Sequence, residues 1–76
     1  MIKWETVKAG DQLWDYHSER AGNTTMRRWG NWPATIVEIR HAESFAVVRW
    51  NGNPPTKWHR RQVERLRRTK GKERGW

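Results

Sequence analysis

The sequence predicts a small all-β fold closed into a barrel, and three observations lead to that expectation. Five short stretches carry the alternation or the β-branched residues typical of strands, with Gly, Asn, Asp and Pro between them. Confident helical periodicity is almost lacking. The chain also has only 76 residues, enough for one domain with a marginal core, and seven of them are tryptophan. Some of these rings should supply the core, because Leu, Ile and Val are few.

The first three strands are predicted around a long loop. Residues 12–16 alternate between two faces, and a Gly-Asp turn precedes them. Residues 17–28 show no apolar periodicity and contain Gly-Asn-Thr-Thr, so we expect a surface loop there. Residues 34–40 and 44–50 are rich in β-branched and apolar side chains, and we expect them to pair as an antiparallel hairpin.

The sequence signals in the last part of the predicted fold are mixed. The Asn-Gly-Asn-Pro-Pro run at 51–55 is the strongest turn signal, since Asn and Gly accept positive φ and proline lacks a donor. A fourth short strand is predicted at 56–59. Residues 60–68 have high helix propensity, but we favour a 3₁₀ turn at 60–62 and a closing strand at 63–66.

Positive charge is concentrated in the last quarter of the chain. Residues 57–76 contain nine Lys and Arg against two Glu, whereas residues 1–56 contain seven bases against six acids. We divide the chain into a barrel domain, residues 1–67, and a basic tail, residues 68–76, that should be disordered without a partner. The asymmetry indicates a polyanionic partner. The candidate phosphate contacts are Lys57, Arg60, Arg61, Arg65, Arg67, Arg68 and Lys70, with Arg27 and Arg28 extending the same surface.

The most distinctive motif is Trp29-Gly30-Asn31-Trp32-Pro33-Ala34, in which Gly30-Asn31 predicts a turn between two indoles. Pro33 lacks an amide donor, so it should lie at the start or at an edge of the following strand. Three roles are open for Trp29, Trp32 and Trp50: part of the barrel core, a platform for stacked bases, or a cation–π cage. We expect exposure for the near-terminal Trp4 and Trp76, and barrel core for Leu13, Trp14, Ile36, Val37, Ile39, Phe45, Val47, Val48 and Trp58.

The order of four short motifs resembles a known family. The motifs are Gly10-Asp11-Gln12-Leu13-Trp14, Trp32-Pro33-Ala34-Thr35-Ile36, Val48-Arg49-Trp50-Asn51-Gly52 and Trp58. Their order resembles the PWWP domain of the Tudor-like, SH3-like barrel group, over roughly residues 7–66. The resemblance implies a five-stranded SH3-like (Tudor/PWWP-like) barrel with framework residues at Gly10, Asp11, Leu13 and Trp58.

The same resemblance implies a site. It puts Trp29, Trp32 and Trp50 where PWWP domains hold a methylated lysine in an aromatic cage, with a basic DNA-binding surface beside it. The chain departs from the family where Gly30-Asn31 replaces the opening proline, and it has no room for the usual C-terminal helical bundle. The ending at 63–67 is also similar to that of retroviral integrase C-terminal domains, which are basic and SH3-like.

Other classes of function have little support. The sequence has no Ser/His/Asp spacing, phosphate-binding Gly loop or apolar carboxylate pair, so we predict that the protein is not an enzyme. Type II dihydrofolate reductases share the size and fold, but their Val-Gln-Ile-Tyr segment is absent. Three widely spaced His and no Cys predict neither metal nor cofactor. No apolar run approaches the ~20 residues that span a bilayer, so no membrane partner is expected.

The predicted function is nucleic-acid binding by a basic C-terminal segment. We favour double-stranded DNA, bound mainly through phosphates and with modest sequence preference. The first alternative is a reader of methylated-lysine peptides. The second is a small protein–protein interaction protein that inhibits or recruits a host enzyme. We expect an intracellular monomer or weak dimer, in the cytoplasm, nucleoid or nucleus, since a chain without cysteine is compatible with that location.

Overall fold

The computed structural model describes residues 2–20 and 27–72. They form one antiparallel sheet of four strands in the order β1-β2-β3-β4, with one short helix. The elements are a 3₁₀ turn at Trp4–Thr6, β1 (Gln12–Arg20), β2 (Arg27–Arg40), β3 (Phe45–Trp50), β4 (Thr56–His59) and α1 (Arg60–Glu64). The mostly β prediction is confirmed, whereas the sheet of the described residues is open and has four strands. Neither helical segment in these ranges is long and apolar enough to cross a membrane.

The hairpin of β1 and β2 is much longer than the sequence predicted. Its ladder runs without a break from the pair Gln12–Thr35 to the pair Arg20–Arg27. The predicted loop is therefore wrong for residues 17–20 and 27–28, which are strand, while 21–26 lie outside the described residues. Cross-strand aromatic contacts stabilise this extension, and a search for aliphatic periodicity does not detect them.

Pro33 marks the point on β2 where pairing with β3 ends. From Ala34 onward β2 pairs with β3, whereas residues 27–33 pair in the ladder with β1 alone. The Pro33 carbonyl accepts the Asn51 N–H at 2.7 Å, just after the last residue of β3. The missing amide donor of proline thus falls on the side where β3 has ended, as at an edge. Pro33 is nevertheless the seventh of the fourteen residues of β2, so the prediction that it avoids the middle of the strand is wrong. Beyond this point, residues 15–20 and 27–32 form what we call the ribbon.

The central hairpin and the following turn agree with the sequence. β2 and β3 pair antiparallel with one irregularity at Val37, whose side chain is 46% exposed, so its assignment to the core is wrong. Asn51 and Gly52 have φ of 50° and 78°, as the turn signal predicted. β4 then follows at the predicted place.

The segment after β4 is a helix, so the predicted 3₁₀ turn at 60–62 and closing strand at 63–66 are wrong. The Gln62 side chain accepts the His59 N–H at 2.8 Å and completes a capping box. Val63 on the helix and Leu66, two residues past its end, are both buried in the core, and the Leu66 N–H donates to the Val63 carbonyl at 3.0 Å. The capping contacts therefore stabilise the helix that the propensities of these residues favour.

After α1 the chain returns to β1 at one point. Trp14 and Arg67 exchange two backbone hydrogen bonds, at 2.7 and 2.8 Å. This contact is an isolated bridge, so the sheet remains four-stranded. Even so, it places residues 67–72 beside β1.

The core lies on one side of the sheet, which we call the inner face; the opposite side is the outer face. Trp4, expected to be exposed, is 2% exposed and belongs to this core, whereas Trp76 lies outside the described residues. Trp14 was expected in the core but lies on the outer face, half-buried. Phe45 and Val47 are only half-buried. The buried residues are Ile2, Trp4, Val7, Leu13, Ala34, Ile36, Ala46, Val48, Val63 and Leu66, with Ile39, Trp50 and Trp58 packed against them.

Candidate nucleic-acid interface

Strand alternation sorts the predicted site residues onto the two faces. Leu13 and Ala34, which pair with each other, are buried in the core and define the inner face. Trp32 shares that face, whereas Trp29, three positions earlier on β2, lies on the outer face. By the same alternation Arg28 is inner and Arg27 is outer. The structure therefore separates residues that the sequence grouped.

Trp32 and Trp50 meet on the inner face in a stack held by a carboxylate. The His17 ring lies on Trp32 with centroids 4.2 Å apart, and Trp32 lies near-parallel to Trp50 at 6.3 Å. Asp15 accepts the Trp50 Nε1–H at 2.8 Å, and its other oxygen is 3.2 Å from His17 Nδ1. A two-stranded ribbon is marginal alone, so this stack continues the core outward and stabilises it.

Trp29 belongs to a different group of rings. On the outer face it stacks on Tyr16 with centroids 5.0 Å apart, and it is 40% exposed. Trp14 is two positions before Tyr16 on the same face of β1. We call Trp14, Tyr16 and Trp29 the ring row. The three predicted cage residues are therefore divided, two on the inner face and one in the ring row.

Two cations lie directly on the ring row. The Arg67 guanidinium is 4.7 Å from the Tyr16 centroid, and Lys70 Nζ is 4.6 Å from that of Trp14. Arg27, also outer, donates to the Ser18 hydroxyl at 3.0 Å and to its carbonyl at 2.9 Å. The row thus alternates flat apolar surface with positive charge.

The described part of the predicted tail, residues 68–72, contacts the ribbon. Asn31 Nδ2 donates to the Gly71 carbonyl at 2.9 Å, and the Gly71 N–H donates to Asn31 Oδ1 at 2.8 Å. The Tyr16 hydroxyl donates to the Lys72 carbonyl at 2.6 Å. Residues 73–76 lie outside the described residues, so the division of the chain after residue 67 stays a prediction.

Two of the predicted phosphate contacts already have acidic partners. Arg60 Nε is 3.1 Å from the Glu64 carboxylate, and its terminal nitrogen is 3.7 Å from Glu5. Arg68 is 3.3 Å from Asp11. A phosphate would have to compete with these carboxylates, so both arginines are less suited to binding a polyanion.

The other predicted bases are more available. No carboxylate of the described residues lies within ion-pair distance of Lys57, Arg61 or Arg65. Lys57 Nζ lies 4.4 Å from the Phe45 ring centroid. A groove of about 670 Å³ separates the N-terminal segment from residues 64–69, and its lining cations are Lys3, Arg65, Arg67 and Arg68. Arg67 borders both this groove and the ring row, which makes them one surface.

Charge differs between the two faces of the ribbon. The inner positions include Asp15 and Glu19, whereas the outer positions of residues 12–20 and 27–35 carry Arg20 and Arg27 and no acid. Arg67 and Lys70 add two more cations to the outer side. Chemically, this outer surface can pair with phosphates and offer rings to flat apolar groups.

Sequence reasoning missed Tyr16, Asn31 and Gly71 as parts of this surface. The alternation of 12–16 put Tyr16 and Trp14 on one face, but both were assigned to core or left without a role. Asn31 was interpreted as a turn residue, because Gly30-Asn31 is a common turn dipeptide. Nothing in the sequence pairs Asn31 with a glycine 40 positions away.

Among the described residues, no three His, Cys, Asp or Glu side chains come together as metal ligands would. Comparison of the chain with protein-family models, with curated proteins and with solved structures finds no match. The resemblance to PWWP domains, and the methyl-lysine cage it implies, therefore stay predictions.

Proposed function

We propose that this protein binds nucleic acid, chiefly double-stranded DNA, through phosphate contacts made by its outer face. One observation carries the proposal: cations of the C-terminal segment join those of the ribbon on an outer face that carries no acid over residues 12–20 and 27–35. Glu38, farther along β2 on this face, is paired with Arg40. Arg27, Arg67 and Lys70 lie there beside the exposed Trp29. Such a surface attracts a polyanion and repels other cationic chains.

The adjoining groove supports the same proposal. Lys3 and Arg65 line it next to Arg67, so positive charge continues from the ring row towards the N-terminal segment. Each cation that pairs with a phosphate releases condensed counterions, which makes binding favourable at low salt and steeply salt-dependent. Phosphate contacts read no base edges, so we expect modest sequence preference.

We further propose that the fold is an SH3-like barrel of five strands. The meander of β1 to β4, the short helix α1 and the return of Arg67 to Trp14 support it, since a fifth strand would pair with β1 at that bridge. Such a barrel would leave the ribbon as a long hairpin extending from its rim. The nucleic-acid proposal depends on the outer surface and is independent of closure.

The test is equilibrium binding of a labelled duplex, with a single strand of the same sequence and a trimethyl-lysine peptide measured in parallel. We expect duplex binding at about 50 mM salt that falls by orders of magnitude at about 200 mM. Absence of duplex binding at the lower salt would refute the proposal. Binding of the methylated peptide alone would favour the cage alternative, with Trp32 and Trp50 as the rings to test.

A further inference from the structure

We infer that residues 69–72 form a latch over the ring row, and that the row, once uncovered, binds the bases of single-stranded nucleic acid by stacking. This inference rests on the proposed function, because it adds a second binding mode to the same face. It assigns a ligand to Trp14, Tyr16 and Trp29, which are not part of the core.

The latch is built from specific contacts. The Asn31 side-chain amide pairs with the Gly71 backbone as a neighbouring strand would: it donates to the Gly71 carbonyl and accepts the Gly71 N–H. A Cβ on Gly71 would lie 2.5 Å from the Tyr16 ring, so only glycine lets the backbone approach this closely. The Tyr16 hydroxyl then holds the next residue, Lys72, through its carbonyl.

The rings beneath the latch need it for their burial. Trp14 and Tyr16 are half-buried although they lie on the side of the sheet opposite the core. Lys70 covers Trp14 and Gly71 covers Tyr16, with the Arg67 side chain also on Tyr16. Lifting residues 69–72, while Arg67 stays paired with Trp14, would therefore expose more of both rings beside Trp29. Trp14 and Tyr16 are two strand positions apart, about 6.7 Å along β1, which sets their rings out in a row.

The exposed row has the chemistry of a stacking platform. Aromatic rings bind bases of any identity through their faces, and flanking cations bind the connecting phosphates. The ribbon supplies Arg27 and Arg20 on the outer face, with no acid among its described outer positions. A duplex offers no unstacked base faces along its length, so its phosphates would bind the cations of the latched form. A single strand can also stack its bases on the rings, and this adds to its affinity only when the row is uncovered.

Opening follows from binding of the single strand itself. A ligand that stacks only on uncovered rings favours the open form, whereas a duplex held by cations of both the latch and the ribbon favours the latched form. If only a fraction of molecules is open, the apparent dissociation constant for a single strand is the intrinsic one divided by that fraction. Any substitution that opens the latch should then raise single-strand affinity, up to the reciprocal of the open fraction.

The test uses Gly71→Ala and Asn31→Ala, with Asn53→Ala, in the exposed segment between β3 and β4, as the matched control. Opening is measured without nucleic acid, by acrylamide quenching of tryptophan fluorescence. Affinity is measured with an oligothymidylate and with a duplex. We expect both latch variants to show more quenching and a several-fold tighter oligothymidylate complex, with duplex affinity equal to or weaker than that of the wild type. The control should match the wild type throughout.

Two results would overturn the latch. One is unchanged quenching in both variants, which would mean that residues 69–72 do not cover the rings. The other is increased quenching with unchanged or weaker oligothymidylate binding, which would mean that the rings are not a base platform. Absence of duplex binding by the wild-type protein is a separate outcome, and it refutes the proposed function.

Discussion

Replacing Arg67 and Lys70 together with glutamine should flatten the salt dependence of duplex binding. Both side chains lie over rings of the outer face, with no carboxylate of the described residues at ion-pair distance. Their charges are therefore available to phosphates without breaking an internal ion pair. Glutamine keeps the length and polarity of the side chain and removes only the charge.

The magnitude follows from counting cations on the surface. The surface offers six phosphate contacts on the outer face and in its groove, from Lys3, Arg20, Arg27, Arg65, Arg67 and Lys70. At a slope of about −0.9 per contact, log K should fall with log salt at about −5.4, or roughly 1,800-fold between 50 and 200 mM. The double variant keeps four contacts, so its slope should be about −3.6 and its loss over the same range roughly 150-fold.

The assay is fluorescence anisotropy of a labelled duplex titrated at three or more salt concentrations. Lys8→Gln with Arg28→Gln is the matched control, because it removes the same charge from a turn and from the inner face. Far-ultraviolet circular dichroism checks that both variants stay folded. If the slope of log K against log salt becomes equally shallow in the two double variants, binding depends on net charge alone and the assignment to the outer face is wrong.

Three further predictions concern individual positions. Arg27→Gln should weaken duplex binding, whereas Arg28→Gln, one position along β2 but on the inner face, should not; equal losses would contradict the division into faces. Asp15→Ala should lower the free energy of unfolding by about 1–3 kcal/mol, because the Trp50 Nε1–H loses its acceptor, and Asp15→Asn should cost less. Leu13→Ala, at a fully buried position, should cost about 2–5 kcal/mol. Urea unfolding followed by tryptophan fluorescence measures the last two, and a loss below about 0.5 kcal/mol would count against either.

Local signals predicted the part of the fold where one strand follows another closely. The β2–β3 hairpin and the Asn51-Gly52 turn could be found because alternation and positive φ leave marks within a few residues. Helix α1 was missed although its propensity was clear. A closed barrel would need a strand at 63–66, but the His59–Gln62 capping box stabilises a helix at the end of β4.

The ribbon and the ring row depend on contacts that the sequence does not mark. Residues 17–20 are polar and looked like loop, but pairing with β2 and the stack of His17 on Trp32 make them strand. The basic tail was visible from composition, whereas its path over Tyr16 was not, because Asn31 and Gly71 are far apart in the chain. Trp29 and Trp32 were grouped by proximity in sequence, and strand alternation separates them.

The most direct test of the outer-face assignment is a titration of labelled protein with duplex DNA, followed through the indole Nε1–H signals in proton–nitrogen correlation spectra. Each tryptophan side chain gives its own signal, so the two faces report separately. We expect the signals of Trp14 and Trp29, on the outer face, to shift, while those of Trp4, buried in the core, and of the stacked Trp32 and Trp50 stay in place. Shifts confined to Trp32 and Trp50, or no shift at low salt, would contradict the assignment.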